Sequence, residues 1–383
     1  MSQPPRIMIV SGEASGDLHG ARLVEAIKQL QPDVYVCGMG GVELRRQGVD
    51  ILYDAAKMAV VGIVEVITHL KDIRKAQNVL FNDLVKNRPQ LLILIDYPDF
   101  NLLLAKKAKK LGIPIFYYIS PQVWAWRSGR VNTIKRLVDK MAVILPFEKQ
   151  FYKNRGVDVD YVGHPLMDSV RTSLSRQEFW QKHFIKKDSV VVGILPGSRK
   201  KEIRSMLPLF LKAAAMIKKK HSHITFLLPQ ASSIKQEDLD SGGLADSTVA
   251  VKVITEDRYN LMAACDLVMA ASGTVTLELA ILNIPMVVSY RMSSLTYLLG
   301  RRLIKVDYAS LVNLVAGKEV VPELLQENAT PEKIAGAMEK IWPGQQERET
   351  MLAGISSVRE RLGHGGASKK AAQVALEAMR LSG

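Results

Sequence analysis

Short runs of consecutive apolar residues recur along the whole chain, and stretches with helical periodicity separate them. The runs do not alternate apolar with polar residues, which is typical of strands covered on both faces. Parallel sheets flanked by helices satisfy that requirement. One of the intervening stretches has an apolar stripe from Leu207 to Ile217, which predicts a helix with Pro208 tolerated in its first turn. The predicted strands are 7–10, 34–37, 91–95, 115–119, 141–145, 190–195, 224–228, 251–254, 267–270 and 286–289.

A length of 383 residues is too great for one ordinary core, so we expect two domains. The fold class is predicted to be α/β, with two Rossmann-like, doubly wound parallel sheets facing a cleft. The alternation of strand and helix pauses near 161–165, so the predicted domains are 1–163 and 164–345. Residues 346–383 are expected to form further helices.

The chain is basic, with a formal net charge of +14. Such a charge favours anionic partners, namely nucleic acid, an acidic membrane surface or phosphorylated substrates. Aromatic residues make up only 6% and no nucleic-acid motif is present, so we do not expect nucleic acid to be the partner. Cys37 and Cys265 lie beside apolar residues and are predicted to be buried thiols. With a strand close to the N-terminus and no apolar run long enough to span a bilayer, we expect a cytoplasmic protein.

Two polar loops rich in glycine and serine follow strands about half a chain apart, over 11–17 and 196–202. Such loops let backbone N–H groups and a helix N-terminus face an anion. In the second loop Gly197 allows close approach, Ser198 can donate a hydrogen bond and Arg199 offers a forked, permanently charged donor. The alternative is an ordinary turn between a strand and a helix.

A third loop, over 271–278, opens a helix after the strand at 267–270. Its small residues Ser272, Gly273 and Thr274 suit a phosphate, and Glu278 falls where it could accept a hydrogen bond from a ribose or a uracil edge. A plain capped turn is again the alternative. Two such loops at the strand ends of one domain favour the binding interpretation.

Acidic residues follow the strand at 91–95 and are candidates for acid–base chemistry. Asp96 comes directly after the strand, where side chains of an open sheet face the ligand crevice. Asp99 suits the N-cap of the next helix, so we assign the chemistry to Asp96. Glu13 and Asp17 are the competing acids.

Two tryptophans, Trp124 and Trp126, follow the strand at 115–119. They could line a sugar or acyl site or anchor a loop in the core. No group of histidine, cysteine and acidic residues has the spacing of a metal site, and the short Asp158-Val159-Asp160 pattern does not make one.

Two stretches suit contact with a membrane surface, 60–67 followed by basic residues and 295–305. An apolar wedge beside basic residues is the pattern of interfacial segments. A buried helix or a subunit contact would look the same in sequence. The predicted membrane or acyl-chain contacts are Val61, Val64, Ile67, Arg74, Leu298, Arg301 and Arg302.

Several motifs occur in order and together resemble the lipid-A-disaccharide synthase family, glycosyltransferases of Gram-negative bacteria. The resemblance runs from the first strand to about Leu325. The motifs are Gly12-Glu13-Ala14-Ser15-Gly16-Asp17, Ile95-Asp96-Tyr97-Pro98-Asp99-Phe100-Asn101, 120–127 (SPQVWAWR), Leu145-Pro146-Phe147-Glu148, Leu195-Pro196-Gly197-Ser198-Arg199, Ala271-Ser272-Gly273-Thr274 and Val312-Asn313-Leu314.

This resemblance implies a GT-B fold and a reaction of UDP-2,3-diacylglucosamine with 2,3-diacylglucosamine 1-phosphate (lipid X). It implies a β-1,6-linked disaccharide and UDP as products, no metal or other cofactor, and a place on the cytoplasmic face of the inner membrane. It also implies that the last helix returns to the first domain, or to a partner subunit if the protein is a homodimer.

The same resemblance assigns roles to residues. The family's essential acid corresponds to Asp96, and Glu13 and Ser15 fall in the loop that faces the cleft. Glu202 is carried over less directly, because Lys200-Lys201 departs from the family pattern. The UDP-contacting groups correspond to Arg199, Ser272, Gly273, Thr274, Glu278 and Asn313. A related GT-B protein that acts on UDP-N-acetylglucosamine, an epimerase or a peptidoglycan-precursor transferase, is the alternative.

Overall fold

The computed structural model describes residues 4–58, 63–126, 128–292 and 306–380, and the side chains of 58 and 63–70 lie outside that description. The chain divides into two compact units. The first unit joins Met1–Pro165 to His364–Gly383, and the second is the continuous segment Leu166–Gly363. The predicted boundary between 163 and 164 lies two residues from this division. Residues 346–383 were predicted as one group of helices, but 346–363 belong to the second unit and 364–383 to the first.

The described part of the chain contains two parallel sheets, of seven and six strands. The strands of the first unit are β1 (Arg6–Ser11), β2 (Tyr35–Gly40), β3 (Asp50–Asp54), β4 (Leu91–Ile95), β5 (Ile115–Tyr118), β6 (Lys140–Val143) and β7 (Asp160–Tyr161). Those of the second are β8 (Val190–Leu195), β9 (Ile224–Pro229), β10 (Val251–Ile254), β11 (Leu267–Ala271), β12 (Met286–Tyr290) and β13 (Glu323–Leu325).

Helices connect the strands and cover the sheets. Those of the first unit are α1 (Ala14–Leu30), α2 (Val42–Arg46), α3 (Ile63–Asn87), α4 (Pro98–Lys110), α5 (Val131–Leu137) and α6 (Pro146–Lys153). The second unit has α7 (Leu166–Ser169), α8 (Arg176–Lys182), α9 (Lys200–Lys220), α10 (Gln236–Ser241), α11 (Arg258–Ala264), α12 (Val275–Ile281), α13 (Leu311–Ala316), α14 (Pro331–Lys340) and α15 (Gln346–Arg361). The last helix, α16 (Ala367–Arg380), returns to the first unit.

Both faces of the first sheet are buried, which explains the continuous apolar runs. One face packs against α3 and α4, and the other against α1 and α16. On the second face four alanines of α16 lie in the core with α1, because small side chains allow the two helices to approach closely. These alanines are Ala371, Ala372, Ala375 and Ala378. Cys37 and Cys265 are buried, as predicted.

A glycine in β2 permits the pairing of β2 with β1. Gly38 has φ +146°, and a Cβ built there would lie 1.9 Å from the backbone oxygen of Ile9. No other residue type fits so close to a neighbouring backbone.

The proline predicted in the first turn of a helix lies instead in the helix interior. The helix α9 begins at Lys200, and Pro208 is its ninth residue. The helix begins before the apolar stripe because its first turn, at the end of the loop after β8, is polar and was not recognised from the apolar pattern. The helix therefore extends through a position that lacks a backbone N–H donor.

The order of strands places the predicted loops at functional positions. The order is β3-β2-β1-β4-β5-β6-β7 in the first sheet and β10-β9-β8-β11-β12-β13 in the second. All strands of a sheet are parallel, but successive strands are added on one side from β1 to β3 and on the other side from β4 onward, so the switch point lies between β1 and β4. In the second sheet it lies between β8 and β11. Ligands of open α/β sheets bind beyond the carboxyl ends of the strands at such a switch point. The loops after β1, β4, β8 and β11 carry the predicted catalytic and UDP-binding residues except Asn313, which lies in α13.

Candidate active site

The loop after β4 holds two consecutive residues in a left-handed backbone conformation. Asp96 has φ 43° and Tyr97 has φ 44°, and neither is a glycine. The left-handed conformation costs about 1–2 kcal/mol for each such residue. Strain of this kind concentrates at functional sites, where the surrounding structure holds it in place.

The Asp96 carboxyl group is suited to act as a base near neutral pH. Its pKa is raised to about 6, mainly by burial and in smaller part by the neighbouring Glu13 carboxylate, while a hydrogen bond from the backbone N–H of Tyr97 opposes the rise. A group with this pKa is mostly ionised at neutral pH and is a stronger base than an ordinary aspartate. The structure therefore brings together two of the predicted site residues, Asp96 and Glu13.

The loop after β1 lies beside the loop after β4, because Ser11 pairs with Ile95 in the sheet. Gly12 lies directly under the ring of Tyr97, since a Cβ on Gly12 would be 2.5 Å from the ring carbon Cδ1. Glu13 is the N-cap residue of α1 and is exposed, and Ser15 is exposed in the first turn. This edge of the first sheet therefore presents Glu13, Ser15 and Asp96.

The competing acid Asp17 has a structural task. Its carboxylate accepts hydrogen bonds from the N–H groups of Gly41 at 2.6 Å and Glu43 at 2.9 Å, at the start of α2. The side chain is 5% exposed. Asp17 therefore caps α2 and does not compete with Asp96 as a base.

The predicted capping role of Asp99 is wrong. The N-cap of α4 is Tyr97, with Pro98 in the first position of the helix. Asp99 is instead exposed and forms an ion pair with Arg130. Because Pro98 lacks an N–H and fixes its own φ, the helix begins earlier than a search for an acidic cap suggests.

For Trp124 the structure favours the anchoring alternative. Its indole Nε1 donates a hydrogen bond to Glu148 at 3.1 Å, and its ring packs edge-on against Phe147. Glu148 is 1% exposed, and burial raises its pKa to about 7. Trp126, by contrast, is 42% exposed.

In the second unit the backbone N–H groups of the loop after β8 point inward to the carboxylate of Glu202. Glu202 accepts hydrogen bonds from the N–H groups of Ser198 at 2.9 Å and Arg199 at 3.2 Å. Its other oxygen accepts from the Arg199 guanidinium at 3.1 Å. Gly197, with φ +114°, has no room for a side chain because Glu202 lies 2.4 Å from where a Cβ would be. Glu202 therefore stabilises the loop from within, while Arg199 remains 71% exposed.

The loop after β11 is open to a ligand. A Cβ on Gly273 would meet nothing within 4 Å, and Thr274 is exposed at the N-terminus of α12. Ser272 donates a hydrogen bond through Oγ to the carbonyl oxygen of Ala309 at 2.9 Å. Because β8 and β11 are paired neighbours, this loop and the loop of Arg199 lie at the same edge of the sheet.

The side chain of Glu278 is 5% exposed and has partners that the sequence did not indicate. It pairs with Arg258, and the Tyr259 hydroxyl donates to it at 3.4 Å. Burial raises the pKa of Glu278, and the charge of Arg258 opposes that shift. Arg258 thus belongs to this part of the site, and its one sequence signal is its place at the start of α11, four residues after the end of β10.

The predicted contact of the Asn313 amide with UDP is not supported. Asn313 is fully buried, and its Nδ2 donates to Val321 at 2.9 Å and Glu323 at 2.8 Å. Its Oδ1 accepts from the N–H groups of Val320 at 2.7 Å and Val321 at 3.0 Å. All of the hydrogen-bonding capacity of an amide is then in use. Glu323 in turn accepts from Ala309 and Ser310, so this network fixes the segment that contacts Ser272.

Most of the predicted membrane contacts lie outside the described residues. They are Val61, Leu298, Arg301 and Arg302, and the side chains of Val64 and Ile67 on α3. Arg74 is exposed on α3. None of the helices in the described ranges combines the length and the apolar character that spanning a bilayer requires. Within the same residues, no three histidine, cysteine or acidic side chains are grouped to hold a metal ion.

The two sheets and the loops at their switch points define a protein of the GT-B class, which includes glycosyltransferases and sugar-nucleotide epimerases. Solved structures of low sequence identity share this fold. The glycotransferase of kitacinnamycin has a TM-score of 0.66 at 15% identity, with 99% of this chain and 100% of that chain covered. UDP-GlcNAc 2-epimerase from Neisseria meningitidis has 0.61 at 14%, with 98% and 100% covered. MurG of Acinetobacter baumannii has 0.59 at 14%, also with 98% and 100% covered.

Sequence similarity narrows this class to one family. The family model for lipid-A-disaccharide synthetase matches residues 7–378, and the chain belongs to that family. Lipid-A-disaccharide synthase of Geobacter sulfurreducens is 48% identical over 97% of both chains. That of Syntrophus aciditrophicus is 47% identical over 98% of both. The protein is therefore an enzyme of lipid A biosynthesis and a glycosyltransferase.

Proposed function

We propose that this enzyme condenses UDP-2,3-diacylglucosamine with 2,3-diacylglucosamine 1-phosphate to give a β-1,6-linked disaccharide 1-phosphate and UDP. The observation that carries the proposal is the Asp96 carboxyl, which stands on a strained backbone at the switch point of the first sheet and has its pKa raised to about 6. Membership of a family whose relatives are named lipid-A-disaccharide synthase supports the choice of substrates.

Asp96 acts as the general base in this proposal. Its carboxylate accepts the proton of the acceptor hydroxyl as the oxygen attacks the anomeric carbon, and the bond from that carbon to UDP breaks. An α-linked donor that yields a β product requires one in-line displacement with inversion. Such a reaction needs one base and no covalent intermediate with the enzyme.

Arg199 and the loop of Ser272, Gly273 and Thr274 are proposed to bind the diphosphate of UDP. Fixed positive charge and backbone donors stabilise the negative charge that develops on the leaving group. The exposed guanidinium of Arg199 and the open space at Gly273 support this assignment. Glu278 and Arg258 are proposed to face the nucleoside.

We also propose that the enzyme works as a peripheral protein on the cytoplasmic face of the inner membrane, because both substrates are acylated. The membrane segment would be the first half of α3, which includes the exposed Arg74. Replacing Val64 and Ile67 by serine should lower sedimentation with anionic liposomes without lowering the melting temperature. A large loss of melting temperature would instead assign these residues to the core.

The central experiment measures UDP release from the two acylated substrates. Wild type should release UDP, and Asp96→Asn should lose turnover by a factor of about 10² or more, since it removes the base. Calorimetry should show that Asp96→Asn still binds UDP and that Arg199→Ala binds it more weakly. The matched control is Asp99→Asn, an exposed acid three residues away, which should keep most of the activity.

Full turnover in Asp96→Asn would exclude the proposed base. Comparable turnover of non-acylated UDP-N-acetylglucosamine would favour the epimerase or the peptidoglycan-precursor transferase. The structural likeness to the Neisseria meningitidis epimerase supports the epimerase alternative, but this likeness concerns the fold alone.

A further inference from the structure

Two buried polar side chains hold the backbone of the loop that carries Asp96, and the proposed reaction uses neither of them directly. The Tyr117 hydroxyl donates a hydrogen bond to the carbonyl oxygen of Asp96. The Asn101 Nδ2 donates to the same oxygen at 2.7 Å and to the carbonyl oxygen of Ile95 at 3.1 Å. Tyr117 and Asn101 are both 0% exposed.

The position of this carbonyl decides where the Asp96 side chain points. Asp96 and Tyr97 are both left-handed, and an unrestrained loop would return to a conformation that L-residues prefer. Such a return would rotate the peptide groups on either side of the Asp96 Cα and move the carboxyl group. Two donors on one carbonyl oxygen oppose that rotation.

A second contact fixes the other side of the same loop. The Tyr97 ring lies against the backbone of Gly12, in the loop after β1. Tyr97 also packs against Phe100 on α4, with ring centroids 5.6 Å apart. The strained segment is therefore held from β5 by Tyr117, from α4 by Asn101 and from the neighbouring loop by Gly12.

We infer that Tyr117, assisted by Asn101, is a positioning residue that maintains the left-handed backbone at Asp96 and so aims its carboxylate at the acceptor hydroxyl. This inference rests on the proposed role of Asp96 as the base. Tyr117 does not contact substrate, and its effect is transmitted through the Asp96 carbonyl group. A displaced base reduces the rate of the chemical step more than it reduces binding of substrate.

The test compares two substitutions that each remove one buried tyrosine hydroxyl. Tyr117→Phe removes the bond to Asp96. Tyr152→Phe is the matched control in the same unit, because its hydroxyl is hydrogen-bonded to Ser120 at 2.5 Å and its side chain is also 0% exposed. Both variants should lose a similar, modest amount of stability.

Tyr117→Phe should lower kcat by about 10-fold or more and change KM by less than about twofold, since misplacement of a reacting group by roughly 1 Å costs up to about 10² in rate. The acid limb of its pH–rate profile should move to lower pH, because a released carboxyl is better solvated. Tyr152→Phe should leave kcat and the limb unchanged. Equal kinetic losses in both variants, or an unchanged kcat in Tyr117→Phe, would overturn the inference.

A measurement without substrate separates this inference from the proposed reaction. The titration of the Asp96 carboxyl can be followed by carbon-13 NMR of labelled aspartate, with Asp96→Asn to assign the signal. A lower midpoint in Tyr117→Phe, with the wild-type midpoint in Tyr152→Phe, would support positioning even if the wild type released no UDP. Identical titration of Asp96 in the wild type and both variants would refute the positioning role of Tyr117, whether or not the proposed reaction takes place.

Discussion

Asp96 combines a strained backbone, partial burial and a negative neighbour, and each has a physical consequence for its chemistry. Burial and the Glu13 carboxylate both disfavour the charged form, so the pKa of Asp96 is raised to about 6. As a base, Asp96 must be ionised to work. The activity of the enzyme should therefore fall as pH decreases through about 6, tenfold per pH unit at lower pH.

The charge of Glu13 can be tested separately from its shape. Glu13→Gln removes one source of the raised pKa, so the Asp96 pKa should fall and the acid limb of kcat/KM should move to lower pH. The measurement is the pH dependence of kcat/KM for UDP release, which reports the free enzyme.

Glu25→Gln supplies the control for that change, because Glu25 is an exposed acid within α1, the helix that Glu13 precedes as its N-cap. It removes the same charge at a greater distance along the helix and should leave the limb in place. An unmoved limb in Glu13→Gln would show that burial alone raises the pKa of Asp96.

At the level of the elements, sequence patterns predicted the central strands well and the edges poorly. The central strands 91–95 and 190–195 have the predicted bounds, and so does one edge strand, β10 at 251–254. The three strands that were missed, β3, β7 and β13, all lie at sheet edges. An edge strand is partly exposed and lacks the continuous apolar run of a central strand.

The same limit applies to the candidate site. The loops at the switch points follow from the strand pattern, because a loop after a parallel strand has a defined position. The partners of a single side chain do not follow from it. Asn313 and Asp17 look like site residues in sequence, yet the first is saturated by backbone groups and the second caps α2. The left-handed backbone at Asp96 leaves no mark in the residue types.

Two capping glutamates give opposite pH dependences of stability. Glu148 occupies the third position of α6, and burial raises its pKa to about 7. A carboxyl whose pKa is higher in the folded than in the unfolded protein stabilises the fold fully below the unfolded value, and this contribution is lost as pH rises through about 7. Glu178 occupies the same position of α8, where hydrogen bonds with Ser175 lower its pKa.

Glu148→Gln removes the titration, so the difference in unfolding free energy between wild type and variant should be larger at about pH 5 than at higher pH. It should shrink by about 1–3 kcal/mol on going to about pH 8.5. Denaturant unfolding at the two pH values measures it. Glu178→Gln should give a difference that is flat over this interval, since its lowered pKa lies below the interval. A difference for Glu148→Gln that grows with pH would contradict the assignment.

For the whole molecule, the division into two units has a topological asymmetry. The second unit is one continuous segment, whereas the first contains both ends of the chain. The helix α16 covers one face of the first sheet, where its alanines pack against α1. Stability of the first unit therefore depends on residues that are distant in sequence from its strands.

A larger side chain in this packing should destabilise the first unit selectively. Ala375→Leu overfills a fully buried position and should cost about 1–3 kcal/mol. Hydrogen exchange should become faster in β1 and β4 and stay unchanged in β8 and β11. Ala353→Leu, the same change at an exposed position of α15, should alter neither set of strands. Equal acceleration in both sheets would indicate that the units unfold together.

The placement of α16 also bears on how the nascent polypeptide acquires its shape. The ribosome synthesises the strands of the first sheet before the second unit, and the helix that covers one apolar face of that sheet after the second unit. The second unit is synthesised as one continuous segment and can fold while that face is still uncovered. We therefore expect the first unit to complete its fold after the second, and to need protection from aggregation until α16 has been synthesised.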